Sequence, residues 1–203
     1  MCRDSGGCVV GWLSEKNEHN EVFYDLMGPD RLNLGCALNH EPGWTNLDIN
    51  PAVKPDVVAD LEAPPLPFAD ESYDFILGSH VFEHVRNFVP LVSDLWRILR
   101  PGGLLVSVTP YYMSEIAVAE PLHIRYFSEV TWPMMCKSAH ESAGTAGNGA
   151  SQGYTFHEWE ILRTMMVPLK DWDKLLPGIP LETAHRHFWN IIQEIIVVLR
   201  KPA

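Results

Sequence analysis

Five short apolar runs, each ending in a polar or turn-forming residue, follow one another through the first half of the 203-residue chain. They are Arg31–Gly35, Thr45–Ile49, Asp56–Asp60, Tyr73–Gly78 and Leu104–Val108. Short apolar runs bounded by turn residues are typical of strands that are buried on both faces. A helical stretch at Val89–Leu99 and a turn at Pro101–Gly103 separate the last two runs. The order β, β, β, β, α, β predicts an α/β fold with a mainly parallel sheet.

The second half of the chain differs in composition. Ser138–Gly153 is rich in glycine, alanine and serine and has no large apolar anchors, which predicts a mobile loop. Trp159–Val167 and Glu194–Arg200 are two further β-like runs, which we expect to pair as an antiparallel edge. Because 203 residues suffice for one well-buried core and not for two ordinary ones, we expect a single domain.

Charge and composition narrow the class of partner. The formal net charge of −11 at pH 7 has the wrong sign for a protein that neutralises phosphate backbones, so nucleic acid is disfavoured and a small molecule is favoured. The four cysteines form no CxxC pair and no metal-ligand spacing, and no signal peptide is recognisable, which fits a reducing cytoplasm. The longest apolar run, Ile195–Leu199, is far shorter than the roughly 20 residues that span a bilayer, so no membrane segment is expected.

The residues at the predicted strand ends form a series of motifs. Leu32–Ala37 (LNLGCA) is a strand running into a glycine turn, Asp48 ends the second run, and Asp60 followed by Leu61 ends the third. Further short motifs follow in order: Leu66–Phe68, Ser72–Asp74, Ser79–His84 and Leu99–Gly103. Together they resemble the class I, Rossmann-like S-adenosylmethionine-dependent methyltransferases of type 11, over about residues 31–110.

The resemblance implies a seven-stranded, mostly parallel sheet with helices on both faces and a C-terminal antiparallel hairpin. It implies S-adenosylmethionine as the cofactor, bound by residues at the ends of the first four strands. These are Gly35, Cys36 and Ala37 in the glycine turn, Asp48 and Ile49 at the ribose, Asp60 and Leu61 at the adenine, and Ser79 and His80 beside the cofactor. Residues 1–30 would be an N-terminal extension, 31–110 the cofactor-binding half and 111–203 the acceptor side.

The first crossover departs from the usual pattern. Only thirteen positions separate Gly35 from Asp48, against roughly 20 in a typical dinucleotide-binding unit, so Asn39–Trp44 must connect the strands as a loop. A subgroup of bacterial methyltransferases resembles the chain in this short crossover. Ala37 also stands where the family usually has glycine. A sulfonium cofactor has no pyrophosphate to bind at a helix N-terminus, so the missing helix disfavours a dehydrogenase more than a methyltransferase.

Three histidines and one tyrosine are candidates for a role in the reaction. Histidine suits proton transfer near neutral pH, and His84 and His123 are the candidate bases, together with His80. Glu83 and His84 are expected to start the helix that follows the fourth run. His123 begins a segment, His123–Ser128, that resembles the active-site cover of similar methyltransferases, and Ser128 with Glu129 is expected to open a helix. Tyr111 follows the fifth strand, at the edge where ligands bind in open α/β sheets, and is expected to shape the acceptor pocket.

Two other functions stay open. His80–His84 (HVFEH) fits the H-x-x-E-H pattern of a zinc metallopeptidase class, although the strand before it and Pro90 after it leave little room for the long helix required. A non-catalytic Rossmann-like scaffold is the second alternative, because the first helix is missing. Apart from the peptidase pattern no metal site is predicted. The sequence does not identify the methyl acceptor.

Overall fold

Seven strands in a single sheet dominate the computed structural model, which describes residues 27–138 and 157–203. The strands are β1 (Arg31–Leu34), β2 (Thr45–Asp48), β3 (Val57–Val58), β4 (Tyr73–Ser79), β5 (Leu99–Pro110), β6 (Glu160–Pro168) and β7 (Ile192–Arg200). The helices are α1 (Phe88–Ile98), α2 (Glu115–Ala119), α3 (Trp172–Leu175) and α4 (Leu181–His187). Short 3₁₀ turns lie at Pro51–Val53, Phe82–His84 and Pro133–Met135.

The strand order is β3-β2-β1-β4-β5-β7-β6. Strands β1 to β5 are parallel, whereas β7 pairs antiparallel with β5 and β6 antiparallel with β7. The predicted parallel sheet with a C-terminal antiparallel pair is therefore confirmed. Because β1 to β5 are parallel, their carboxyl ends meet at one edge of the sheet, where ligands bind in open α/β folds.

Two predicted strands differ clearly in length from those in the structure. The third run, predicted as Asp56–Asp60, pairs only over Val57–Val58. Strand β5 begins at Leu99 and continues through the predicted turn at Pro101–Gly103, with Gly102 in the left-handed region at φ 82°. The amide of Gly102 donates to the carbonyl of Lys201 (2.8 Å), and the Lys201 amide donates to Gly103 (3.0 Å). Pairing with the far end of the chain thus extends the strand.

Apolar side chains cover both faces of the sheet. Phe75 and Leu77 of β4 belong to one buried cluster, and Ile76 between them belongs to the other, as the two-residue period of a strand requires. Helix α1 packs on the Ile76 face through Leu91 and Leu95, both fully buried. Complete burial of such a side chain stabilises the fold by about 1.5–3 kcal/mol.

Two buried asparagines order the short first crossover, and residues 35–44, all of them described, contain no helix. Asn33 Nδ2 donates to the carbonyl of Asn39 (2.9 Å) and to Asn46 Oδ1 (3.1 Å). Asn46 Oδ1 also accepts from the amide of Glu41 (2.8 Å), and Asn46 Nδ2 donates to Asp56 Oδ2 (3.0 Å). Hydrogen bonds from the backbone and side chain of Asn46 lower the pKa of Asp56. The predicted loop is confirmed, and side-chain amides satisfy the backbone groups that a helix would otherwise pair.

We expect Asn46→Ala to lower the free energy of unfolding by about 2–4 kcal/mol, because it leaves several backbone groups of the crossover without partners. Urea denaturation of the two proteins measures the difference. Asn39→Ala is the matched control, because the Asn39 side chain is exposed and only its carbonyl accepts from Asn33. Equal losses in the two variants would contradict the role given to Asn46.

Some sequence predictions fall outside the described residues. Of the predicted mobile loop Ser138–Gly153, the structure describes only Ser138. Of the predicted N-terminal extension, it describes only residues 27–30. Among the helices within 27–138 and 157–203, none is long and apolar enough to cross a membrane.

Candidate functional site

The turn after β1 uses left-handed backbone at two positions. Gly35 has φ 58° and Ala37 has φ 44°. The amide of Cys36 donates to the carbonyl of Leu47 (3.0 Å), which joins the turn to β2. The Cys36 side chain is buried, and this burial, followed by the nearby Asp48 carboxylate, raises the pKa of its thiol. Cys36 therefore contributes packing and a backbone bond to the turn.

Asp48, at the end of β2, joins the two turns that flank it. Its Oδ2 accepts from the amide of Ala37 (2.9 Å) and its Oδ1 from the amide of Asn50 (2.8 Å). A carboxylate oxygen has capacity for a second hydrogen bond, so both oxygens can still accept from a ligand hydroxyl. Beside it, the side chains of Leu38 and Ile49 are 84% and 61% exposed. Two hydrogen-bond-accepting oxygens flanked by exposed apolar side chains suit a ligand that has both a sugar and an apolar part.

Asp60 lies on the same edge, just after β3. Its Oδ1 accepts from the amide of Glu62 (2.8 Å), and its carbonyl accepts from the amide of Ala63 (3.1 Å). Asp60 is exposed and the adjoining Leu61 is partly buried. The predicted adenine-side pair is thus held in a tight turn next to the Asp48 turn.

The end of β4 approaches the glycine turn directly. A Cβ on Gly35 would lie only 2.5 Å from Cγ2 of Val81. Ser79 ends β4, and His80, in the left-handed region at φ 54°, donates its amide to the carbonyl of Val108 (2.9 Å). The structure therefore brings the predicted Gly35 and His80 segments together at the centre of the carboxyl edge.

The His80 ring lies between two carboxylates. Its Nε2 is 3.1 Å from Glu194 Oε1, and its Nδ1 is 3.4 Å from Glu83 Oε1. Burial of the ring lowers the pKa of His80, but the hydrogen bonds and charges of Glu194 and Glu83 outweigh burial and raise this pKa to about 10. The two carboxylates thus favour the protonated imidazole, which opposes a role of His80 as a general base.

Glu83, His84 and His123 form a second group, which we call the Glu83 cluster. Each of the three offers one ligand atom, and these atoms lie within 4.8 Å of one another. The Glu83 side chain is 1% exposed, and neither carboxylate oxygen has a hydrogen-bond partner within the described part of the chain. His84 Nδ1 is 3.2 Å from the carbonyl of Leu122, and His123 Nδ1 is 3.2 Å from that of Ala117. Since a carbonyl only accepts, Nδ1 is the donor in each ring, so the lone pair of the neutral imidazole lies on Nε2.

The predicted cover segment is anchored on the turn that follows β4. The amides of Ile124 and Arg125 both donate to the carbonyl of Glu83, at 2.9 and 3.2 Å. Arg125 Nε donates to the carbonyl of Val85 (2.6 Å). These bonds bring His123 to Glu83. The predicted helix at Ser128 is wrong, because Ser128–Thr131 forms a turn in which the Thr131 hydroxyl accepts from the Ser128 amide (2.9 Å).

Tyr111 lies just after β5 and is fully buried. Its hydroxyl donates to Glu129 Oε2 (3.0 Å), and burial, followed by the interaction with Glu129, raises the pKa of the phenol well above its usual value. The neighbouring Tyr112 ring is 42% exposed and packs edge-on against Tyr111 at 4.8 Å. In this position Tyr111 supports the wall of the site, and Tyr112 presents the accessible ring.

Glu83 and His84 were expected to start the next helix, and this expectation is wrong. They belong to the 3₁₀ turn Phe82–His84, and α1 begins only at Phe88. The zinc metallopeptidase alternative is not supported, because His80 and His84 do not lie on one helical face and His80 is bonded to Glu194. Sequence reasoning missed Glu194, whose one signal is a lone carboxylate in the apolar run of β7.

Comparisons with known proteins agree with this geometry. Residues 33–107 match the family model described as a methyltransferase domain. A ubiquinone biosynthesis O-methyltransferase of Sinorhizobium fredii is 32% identical over 106 residues, which is 51% of this chain and 38% of that protein. The corresponding Agrobacterium fabrum protein is 34% identical over 105 residues, with the same coverage. The chain thus matches well under half of the length of these curated relatives.

Solved structures share the fold at low identity. A SAM-dependent methyltransferase from Archaeoglobus fulgidus superposes with a TM-score of 0.58 at 16% identity, covering 90% of this chain and 91% of that one. The cyclase SpnF gives a TM-score of 0.55 at 12% identity, with 91% and 81% covered. The chain therefore shares the fold of the class I, Rossmann-like S-adenosylmethionine-dependent methyltransferases. Within this fold, the match to the type 11 methyltransferase domain covers residues 33–107.

Proposed function

We propose that the protein transfers the methyl group of S-adenosylmethionine to an oxygen of a small-molecule acceptor. The observation that carries the proposal is the carboxyl edge of the sheet, where the Asp48 carboxylate, with exposed Leu38 and Ile49, lies beside the Gly35 turn. The family match supports the reaction class, and the curated relatives named above are O-methyltransferases. The net charge of −11 favours a small acceptor over a nucleic acid.

The chain's residues fit this cofactor. Asp48 has acceptor capacity for two ribose hydroxyls, Ile49 offers apolar surface, and the Asp60 turn lies next to it on the same edge. The amides of Cys36 and Ala37 are already bonded to Leu47 and Asp48, so they shape the turn and are not free donors. When bound, S-adenosylmethionine supplies a methyl group activated by its sulfonium. We assign this role to residues 31–110 and acceptor binding to residues 111–203.

On the acceptor side, the protein has to remove the proton of the acceptor hydroxyl. His123 is our candidate for this role, because Nδ1 is fixed by Ala117 and the Nε2 lone pair faces the buried interior near Glu83, 3.9 Å from Oε1. The proton would pass to Nε2, where the Glu83 carboxylate stabilises the resulting cation. Tyr111 and Tyr112 would form the wall of the same pocket.

We expect Asp48→Ala to weaken S-adenosylmethionine binding by about 1.5–3 kcal/mol, a ten- to roughly 150-fold loss of affinity, since charge-assisted hydrogen bonds are lost. Isothermal titration calorimetry measures this effect. A thermal melt of the same variant reports how much the two lost backbone bonds disturb the fold. Asp173→Ala removes an exposed carboxylate on α3, which follows β6 on the opposite side of the sheet from β2, and should leave affinity unchanged. If folded Asp48→Ala binds S-adenosylmethionine as tightly as the unmodified protein does, Asp48 does not contact the cofactor.

A screen of small hydroxyl-bearing acceptors with methyl-labelled S-adenosylmethionine tests the whole proposal. Label transferred to an acceptor oxygen supports it. Micromolar cofactor binding without transfer to any acceptor would favour a non-methylating protein of this fold, as the cyclase among the structural neighbours illustrates. No binding at millimolar cofactor would leave the non-catalytic scaffold.

A further inference from the structure

Two features of the Glu83 cluster are not explained by packing. The first is the Glu83 carboxylate, which is 1% exposed and has no hydrogen-bond partner on either oxygen among residues 27–138 and 157–203. Burying a carboxylate without hydrogen bonds is costly, so such groups in folded proteins are paired or coordinate metals. His80 Nδ1 lies 3.4 Å from Oε1 and partly balances the charge of the carboxylate. Neither this ion pair nor any hydrogen bond among the described residues satisfies Oε2.

The second feature is the orientation of the two imidazoles. His84 and His123 both hydrogen bond through Nδ1 to backbone carbonyls, of Leu122 and Ala117. Metal-bound histidines characteristically donate their second nitrogen to a carbonyl or carboxylate, which fixes the tautomer and the ring direction. Here Nδ1 of both rings is engaged, which leaves Nε2 for a ligand, and Nε2 of His123 lies 3.9 Å from Glu83 Oε1. One ligand atom from each of the three residues lies within 4.8 Å of the other two.

We propose that Glu83, His84 and His123 bind a divalent transition metal ion such as zinc. Two imidazole nitrogens and one carboxylate are the ligand set of several catalytic zinc sites, in which a fourth position stays open. Ligands of a tetrahedral zinc ion are about 3.4 Å apart, given bonds of roughly 2.0–2.1 Å, so the widest separation in the cluster must shrink by up to about 1.4 Å on binding. His84 is exposed and lies at the end of a one-turn 3₁₀ segment, where this movement is available.

The position of the ion gives it a role in the proposed function, on which this step rests. An acceptor hydroxyl at the open position would be polarised and would lose its proton more readily, as a zinc-bound water does. His123 would then act as a ligand, and the ion would take over the activation that we otherwise assign to its Nε2. Binding itself does not depend on methyl transfer and is tested without it.

The test uses the 203-residue chain, stripped of metal with a chelator and titrated with zinc chloride against a colorimetric zinc indicator. We expect one high-affinity zinc ion per chain, abolished or weakened at least 100-fold by Glu83→Gln and by His84→Gln. His84 is exposed, so its variant should fold even where the buried Glu83 variant does not. His187→Gln, at the exposed end of α4, is the matched control and should bind as the unmodified protein does. Magnesium, which prefers oxygen ligands, should not compete.

Three results would overturn the proposal. One is the absence of zinc binding at micromolar concentration. Another is binding that His84→Gln leaves unchanged, which would locate the ion elsewhere. The third is equal competition by magnesium, which would indicate an unspecific carboxylate interaction. Calorimetry with S-adenosylmethionine on the same samples separates this proposal from the proposed function. Cofactor binding without zinc binding would contradict only the metal site, and zinc binding without cofactor binding would contradict only the cofactor site.

Discussion

His123→Ala is expected to reduce turnover about 10²- to 10⁴-fold on a true acceptor, the usual contribution of positioned proton transfer, while the affinity for S-adenosylmethionine stays within a few-fold. The reason is the position of the side chain. His123 lies in the cover segment, with Nε2 directed toward Glu83, whereas the proposed cofactor contacts lie around Asp48 and Asp60. Steady-state kinetics with labelled cofactor measure turnover, and calorimetry measures affinity. Full turnover in the variant would exclude both roles proposed for His123.

His84→Ala distinguishes a base from a metal ligand. If His123 acts alone on the proton, the exposed His84 should contribute little and its variant should lose much less than tenfold in turnover. If the Glu83 cluster binds a metal ion, the two variants lose the same ion and should fall by similar factors. We expect similar factors, and a large loss for His123→Ala alone would restrict the role of His123 to that of a base.

The strand pattern could be predicted because each parallel strand is a local apolar run that ends in a polar residue. The start of β5 could not, since Gly102 and Gly103 are paired there with Lys201, about a hundred positions later in the chain. The predicted third strand is too long, because β3 lies at the edge of the sheet and pairs only with β2, over two residues. Local patterns predict that a strand exists, and long-range pairing determines where it ends.

The site was predictable where residues follow strands, and less so where distant segments meet. Gly35, Asp48 and Asp60 all lie at the carboxyl edge because each directly follows or ends a parallel strand. The contact between His80 and Glu194 joins positions 114 residues apart and has no local signature. Glu83 was expected at a helix start, but the amides of the cover segment bind its carbonyl and enclose its side chain. The Glu83 cluster therefore became visible only in three dimensions.

Gly35→Ala is expected to lower the free energy of unfolding by about 2–5 kcal/mol and to weaken cofactor binding more than tenfold. Left-handed backbone costs a residue with a Cβ about 1–2 kcal/mol, and Gly35 has φ 58°. The new methyl group would also lie 2.5 Å from Cγ2 of Val81, so the two turns must separate, at about 1–3 kcal/mol for an overpacked contact. Urea denaturation gives the stability, and calorimetry gives the affinity.

Two further variants separate strain from overpacking. Gly43 also has positive φ, 78°, but no atom lies within 4 Å of where its Cβ would be, so Gly43→Ala should show only the backbone cost. Val81→Ala removes the methyl group that Gly35→Ala meets, so the loss caused by Gly35→Ala should shrink to the backbone cost when measured in that background. An equal loss with and without Val81 would mean that the glycine turn does not depend on its contact with β4. The affinity of Gly35→Ala for S-adenosylmethionine gives the same distinction. We expect it to recover partly when Val81 is also shortened to alanine, because the ends of β1 and β4 can then approach each other again.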